Sequence, residues 1–157
     1  MRFAIQVGHD WQVIITCPTI PEQTWERAMR KCPDDAGGFF PAPPETELPG
    51  PTDPHYSICA GDAAAFWSDY QGIVMRQLPP GVTERFGRYL FEALIGGSIW
   101  NNILRSAASA GEQFIELNLL WDKTAGDLHR LNWEMMHGQG GFLRRWGAGR
   151  HRHVLHS

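Results

Sequence analysis

The sequence predicts one α/β unit, and three observations carry that prediction. Alternating apolar residues at the start form a hairpin pattern, two consecutive helical faces occupy the middle, and an eight- to nine-residue alternating stretch follows them. At 157 residues the chain fits a single domain, which at this size buries roughly 70% of its extended surface.

Phe3, Ile5 and Val7 alternate with Arg2, Ala4 and Gln6. Gly8-His9-Asp10 then interrupts before Trp11-Gln12-Val13-Ile14-Ile15-Thr16, which predicts an opening β-hairpin. Pro18 and Pro21 end it, and Pro21–Met29 reads as a short helix with proline in its first turn. From Pro33 to Pro54 the chain holds seven Pro and three Gly in twenty-two residues. This predicts a solvated loop, because Pro41-Ala42-Pro43-Pro44 fits neither a sheet interior nor a helix.

Ala63, Phe66, Trp67 and Tyr70 share a face at helical spacing, which predicts a helix over 62–71. Phe86, Tyr89, Leu90, Ala93 and Leu94 predict a second over 83–95, with Thr83 as its N-cap. Gly96-Gly97 breaks it. Ser98 caps a third over 98–110, keyed by Ile99, Trp100, Ile103, Leu104 and Ala107. Gly111 closes that helix, and Ile115, Leu117 and Leu119 alternate with Glu116 and Asn118 in a strand over 113–121. Leu131, Trp133 and Met135 predict a further strand at about 130–136.

Charge divides the chain. The four Arg after Leu143 have no acid beside them, which leaves residues 1–143 with ten basic against seventeen acidic side chains, a net of −7. Such a body repels nucleic acid and anionic membrane, so neither is expected as a partner. Residues 144–157 read as a disordered basic, His-rich tail. Three irregularly spaced cysteines argue against a disulfide framework, and the first residues turn polar too soon for a signal peptide. A cytoplasmic protein is expected.

No catalytic, metal or cofactor site emerges from spacing alone. Cys17, Cys32 and Cys59 with His55 or His9 lack the paired ligands of structural zinc, and buried thiols are the simpler reading. His151-x-His153 with His156 has no carboxylate to orient it. His137-Gly138-Gln139-Gly140 suggests a catalytic histidine, yet a nucleophilic mechanism requires Cys17 or Cys59 within its reach. A tight turn explains the glycines more simply. No catalytic residue, metal or cofactor is therefore assigned.

The order of segments from Phe86 to Leu143 resembles the front of CHAT domains, the caspase-like domains found mainly in bacteria. Phe86–Leu94, a glycine break, a helix ending Ser106–Ala110 and the strand Phe114–Leu119 come first. Leu131-Asn132-Trp133-Glu134-Met135-Met136 and Gly141-Phe142-Leu143 follow. The middle motif resembles a Leu-Pro-Trp-Glu-Leu-Leu segment, with Asn132 in place of the proline. The resemblance spans 58 of the 157 residues, and its motif residues are Leu131, Trp133, Glu134, Phe142 and Leu143.

It implies a caspase-like sandwich, partial in this chain, and a parent activity of Cys/His endopeptidase action in regulated proteolysis or defence. The family's catalytic His and Cys belong to later His-Gly and Asn-Ala-Cys segments, so none of its catalytic roles transfers to His137. Residues 1–143 are thus expected to be a non-catalytic front portion of such a domain, truncated or split, with the strand over 113–121 ending as an unpaired or half-covered sheet edge. Its expected partner is a protein or the missing C-terminal half. The alternative is a stand-alone protein–protein interaction module without enzymatic activity.

Overall fold

The opening alternation forms the hairpin it predicts. In the computed structural model, which describes residues 1–33, 38–44, 63–138, 141–142, 144–145 and 150–154, β1 (Arg2–Val7) pairs antiparallel with β2 (Gln12–Thr16), Ile5 opposite Ile15. A 3-10 turn over His9–Trp11 joins them, with Gly8 N–H donating to Gln12 O across 2.8 Å. Asp10 and Trp11 both take left-handed backbone angles, φ 58° and 61°. Aspartate tolerates that region, whereas a bulky residue there is strained. Burial of the Trp11 indole and a hydrogen bond from Met29 N–H to its carbonyl hold it in place.

The helix expected over 21–29 is instead a strand, β3 (Thr24–Ala28), antiparallel to β2 with Trp25 opposite Ile15. Tertiary pairing overrides the helical propensity of Glu26-Arg27-Ala28-Met29. The cause is visible in Arg27: a strand aims its side chain under the helical layer, where it is buried.

Within the expected loop, β4 (Arg30–Pro33) and β5 (Phe39–Ala42) form a separate two-stranded ribbon. Pro41 is tolerated because such a ribbon leaves one side of each strand without a ladder among the described residues. Residues 34–37 and 45–54 of that loop lie outside the described residues.

Three helices follow, α1 (Ala63–Val74), α2 (Pro80–Leu94) and α3 (Gly97–Ser109). The predicted starts shift. Pro80 sits at the first position of α2, so Thr83 falls inside the first turn rather than capping it. Gly96, not Ser98, precedes α3, and its φ of 77° is one only glycine adopts freely. The Glu92 carboxylate accepts the Gly97 N–H at 3.2 Å, doing a cap's work from the end of the previous helix.

The chain then enters β6 (Phe114–Trp121), parallel to β1 with Leu117 opposite Phe3. Helices α1–α3 lie in the connection between these two parallel strands, as parallel pairing requires.

Two expectations about the last third need correction. Residues 126–130 and 133–135 form 3-10 turns, not a strand over 130–136. The buried positions are Leu128, Leu131, Trp133 and Met136, while Met135 is only half-buried. Two of these three spacings are of three residues, which suits 3-10 turns and defeats a period of two. The tail, expected to be disordered, contributes β9 (Arg144–Arg145) and β10 (Arg150–Val154). β10 runs antiparallel to β6 over Phe114–Asn118, so the edge of β6 is partly covered rather than unpaired.

Together these strands give a six-stranded sheet in the order β3-β2-β1-β6-β10-β9. A short hairpin of β7 (His137–Gly138) and β8 (Gly141–Phe142) stands apart. Phe3, Ile5, Val13, Ile15, Ile115 and Leu117 from one sheet face meet Phe86, Leu90, Leu94, Trp100 and Ile103 from the helices in one core. The chain is therefore a mixed α/β unit, as its sequence predicts. No helix among the described residues is long and apolar enough to cross a membrane.

Candidate functional site

The residues singled out by the Trp-Glu motif sit where the chain leaves β6 and wedges under the helices. The exit is an Asx turn: Asp122 Oδ1 accepts the Thr124 N–H at 2.7 Å and the Thr124 hydroxyl at 2.6 Å. Those bonds, the hydroxyl's first, hold the Asp122 carboxyl below its ordinary pKa. Two 3-10 turns then bury Leu128, Leu131 and Trp133 in succession.

Trp133 anchors the segment. Its indole N–H donates to Leu128 O across 2.9 Å inside the core, and its ring lies 5.0 Å from that of Trp121 at the end of β6. A buried indole needs such a partner for its single donor. Asn132, which stands where the resembled motif has proline, accepts the Glu134 N–H through Oδ1 at 3.1 Å and caps the second turn. Its own N–H donates to the Tyr70 hydroxyl of α1 at 2.9 Å. Arg130 places its guanidinium 4.0 Å from the Trp67 ring centroid, a cation–π contact to the same helix.

Helix α2 closes the wedge from the other side. A Cβ at Gly87 would lie 2.0 Å from Met135 O and 3.3 Å from His137 Cβ. Only glycine lets helix and segment approach this closely. The motif residues Leu131, Trp133 and Glu134 are thus brought together with α1, α2 and β6. Phe142 faces His137 in the β7–β8 register, and Leu143 lies outside the described residues. Tyr70, Gly87 and Arg130 complete the arrangement and carried no functional signal in the sequence.

The thiols and His137 are placed on different elements. Cys17 is buried at the end of β2, its Sγ 3.0 Å from Thr19 Oγ1. Cys32 sits opposite Phe40 in the β4–β5 ribbon, where burial pushes its thiol pKa up, against a smaller opposing pull from Arg30. A raised pKa is the reverse of what a nucleophilic thiol needs. His137 packs beside Gly87 of α2. Cys59 and His55 fall outside the described residues. Among the described residues no three His, Cys, Asp or Glu side chains converge as metal ligands would.

The chemistry of this arrangement is mechanical: an aromatic, hydrogen-bonded wedge fixes two helices against the end of a central strand. Compared with known proteins, the chain matches no family model, no curated protein and no solved structure.

Proposed function

We propose that the chain is a non-catalytic front portion of a CHAT-type, caspase-like cysteine peptidase domain, related to bacterial regulated proteolysis or defence. The observation that carries this reading is the docked segment Leu131–Met136, with Trp133 buried against Trp121 and the following turn seated on Gly87. In the resembled family a similar segment, with proline at the position of Asn132, follows a helical segment and a strand of alternating apolar residues. The described thiols support a non-catalytic role, since Cys17 has Thr19 as its neighbour and Cys32 is disfavoured as a thiolate.

Incubation of the full chain with a peptidyl fluoromethyl ketone, followed by intact mass and peptide mapping, tests this. No cysteine is expected to react faster in the folded than in the urea-unfolded protein. Stoichiometric labelling of one cysteine that His137→Ala abolishes would overturn the non-catalytic assignment.

A second reading, a protein–protein interaction module, is favoured by one observation: Ile14, Phe114 and Leu120 are 37%, 39% and 49% exposed. Isolated exposed apolar residues are ordinary, but these three share the sheet face away from the core, where a partner can cover them. A cognate protein that co-purifies with the chain and is lost with Leu120→Lys separates the two readings.

A further inference from the structure

Between the start of β3 and the C-terminal half of α3 lies an open groove of about 620 Å³, remote in sequence from the Trp133 segment. That volume falls within the usual range for small-ligand sites, about 300–1,000 Å³. Trp25 and Ile20 supply its apolar wall; Gln23, Asn102, Arg105 and Ser109 supply its polar one. Among the described residues no carboxylate lines it, although residues 1–143 carry an acidic excess.

Among the described residues, Arg105 is the one ionisable side chain on this lining. Arg2 and Arg88 answer carboxylates directly, those of Glu116 and Glu84. Arg105 is instead held by neutral acceptors, Nη2 on Asn102 Oδ1 at 2.5 Å and Nε toward Asn101 O at 3.4 Å. These contacts orient the fork along α3 without cancelling its charge. Across the groove, the Ser106 hydroxyl donates to Gln23 Oε1 at 2.8 Å, which ties α3 to the β2–β3 connection. It also leaves the Gln23 amide N–H₂ for another acceptor. An oriented guanidinium and amide donors suit a carboxylate, and a half-exposed indole beside them suits a flat ring.

We propose that this groove binds small aromatic carboxylates, the carboxylate on Arg105 and the ring against Trp25. This inference is independent of the family reading and stands or falls without it.

The test is ¹⁵N-resolved NMR titration of the full chain with phenylacetate, alongside phenylacetamide and acetate. Phenylacetate is expected to shift the amides of Gln23, Trp25, Ser106 and Ser109 in a saturable manner. Phenylacetamide lacks the charge and acetate lacks the ring, so each should bind about tenfold more weakly or worse. Arg105 is solvent-exposed, so Arg105→Gln should leave the remaining spectrum folded while weakening phenylacetate by about tenfold, and Arg105→Lys should restore part of it. The proposal is overturned if phenylacetate produces no saturable shifts at those amides, if phenylacetamide binds equally well, or if Arg105→Gln leaves the affinity unchanged.

Discussion

At the scale of single residues, the sharpest constraint is Gly87. Within a helical pattern a glycine reads as a small defect, and nothing local marks it as a contact point. The structure supplies the reason, since a methyl group there would collide with the Met135 carbonyl. Backbone cannot yield as a side chain does, so Gly87→Ala should cost about 1–3 kcal/mol, the usual penalty of overpacking. Gly81, also in α2, has nothing within 4 Å of an added Cβ. Gly81→Ala should therefore be neutral or stabilising by up to about 1 kcal/mol. Urea unfolding of both variants checks the pair, and equal effects would contradict the close approach.

Asp122 gives a residue-scale pH dependence. Its folded pKa is lowered, chiefly by the Thr124 hydroxyl and then by the Thr124 N–H. Its contribution is therefore present above the unfolded carboxylate value and is lost as pH falls through the folded one, in the acid range below about 4. Thr124→Ala should raise the Asp122 pKa toward the ordinary value in a carboxyl NMR titration. An unchanged titration would remove the Asx turn from the account of how β6 ends.

At the scale of elements, Arg27 joins the sheet to the helices. Its guanidinium donates to the carbonyls of Glu92, at 2.9 Å, and of Ile95, where α2 runs out of internal donors. A cation at a helix C-terminus also complements the helix dipole. Arg27→Met keeps the length but strands those carbonyls. The expected loss is about 2–4 kcal/mol by chemical denaturation, on the scale of charge-assisted hydrogen bonds removed from a buried site. Arg27→Lys should recover only part, because a single ammonium does not reproduce the fork.

Legibility from sequence divides along these same elements. Strands β1, β2 and β6 and all three helices were readable because each carries a sustained apolar period. β3 was not, because its decisive residue is a buried arginine, which a hydrophobic pattern misses. The spacing of the Trp-Glu segment predicts a strand where the structure has 3-10 turns. Leu131-x-Trp133-x-Met135 mimics a period of two, whereas Met136 is the residue actually buried. Its partners Tyr70 and Gly87 lie on other elements, so only the fold reveals them.

At the scale of the whole molecule, the described residues cover one face of the sheet and leave exposed side chains on the other. Among the described residues, Gln6, Gln12, Ile14 and Leu120 are exposed on the face away from the core. Registers set Ile14 and Leu120 on either side of Gln6. Parallel pairs are normally covered on both faces, so weak association through this row is the expected outcome.

The expectation of an unpaired β6 edge would have produced a much stronger liability, but β10 covers that edge through residues 150–154. A composition of Arg and His hid this strand, since backbone pairing needs no apolar side chain. The two sources of association then predict different outcomes. Ile14→Thr with Leu120→Lys should shift the full chain toward monomer in sedimentation velocity without loss of stability. Deleting 150–157 should do the opposite: it bares the ladder groups of Phe114–Asn118, and exposed edges recruit other chains. Larger assemblies from the deletion, relieved by neither surface substitution, would locate the liability in the β6 edge. A deletion that stays as monomeric as the full chain would mean that β10 is dispensable to the sheet, and the six-stranded order would have to be cut back to β3-β2-β1-β6.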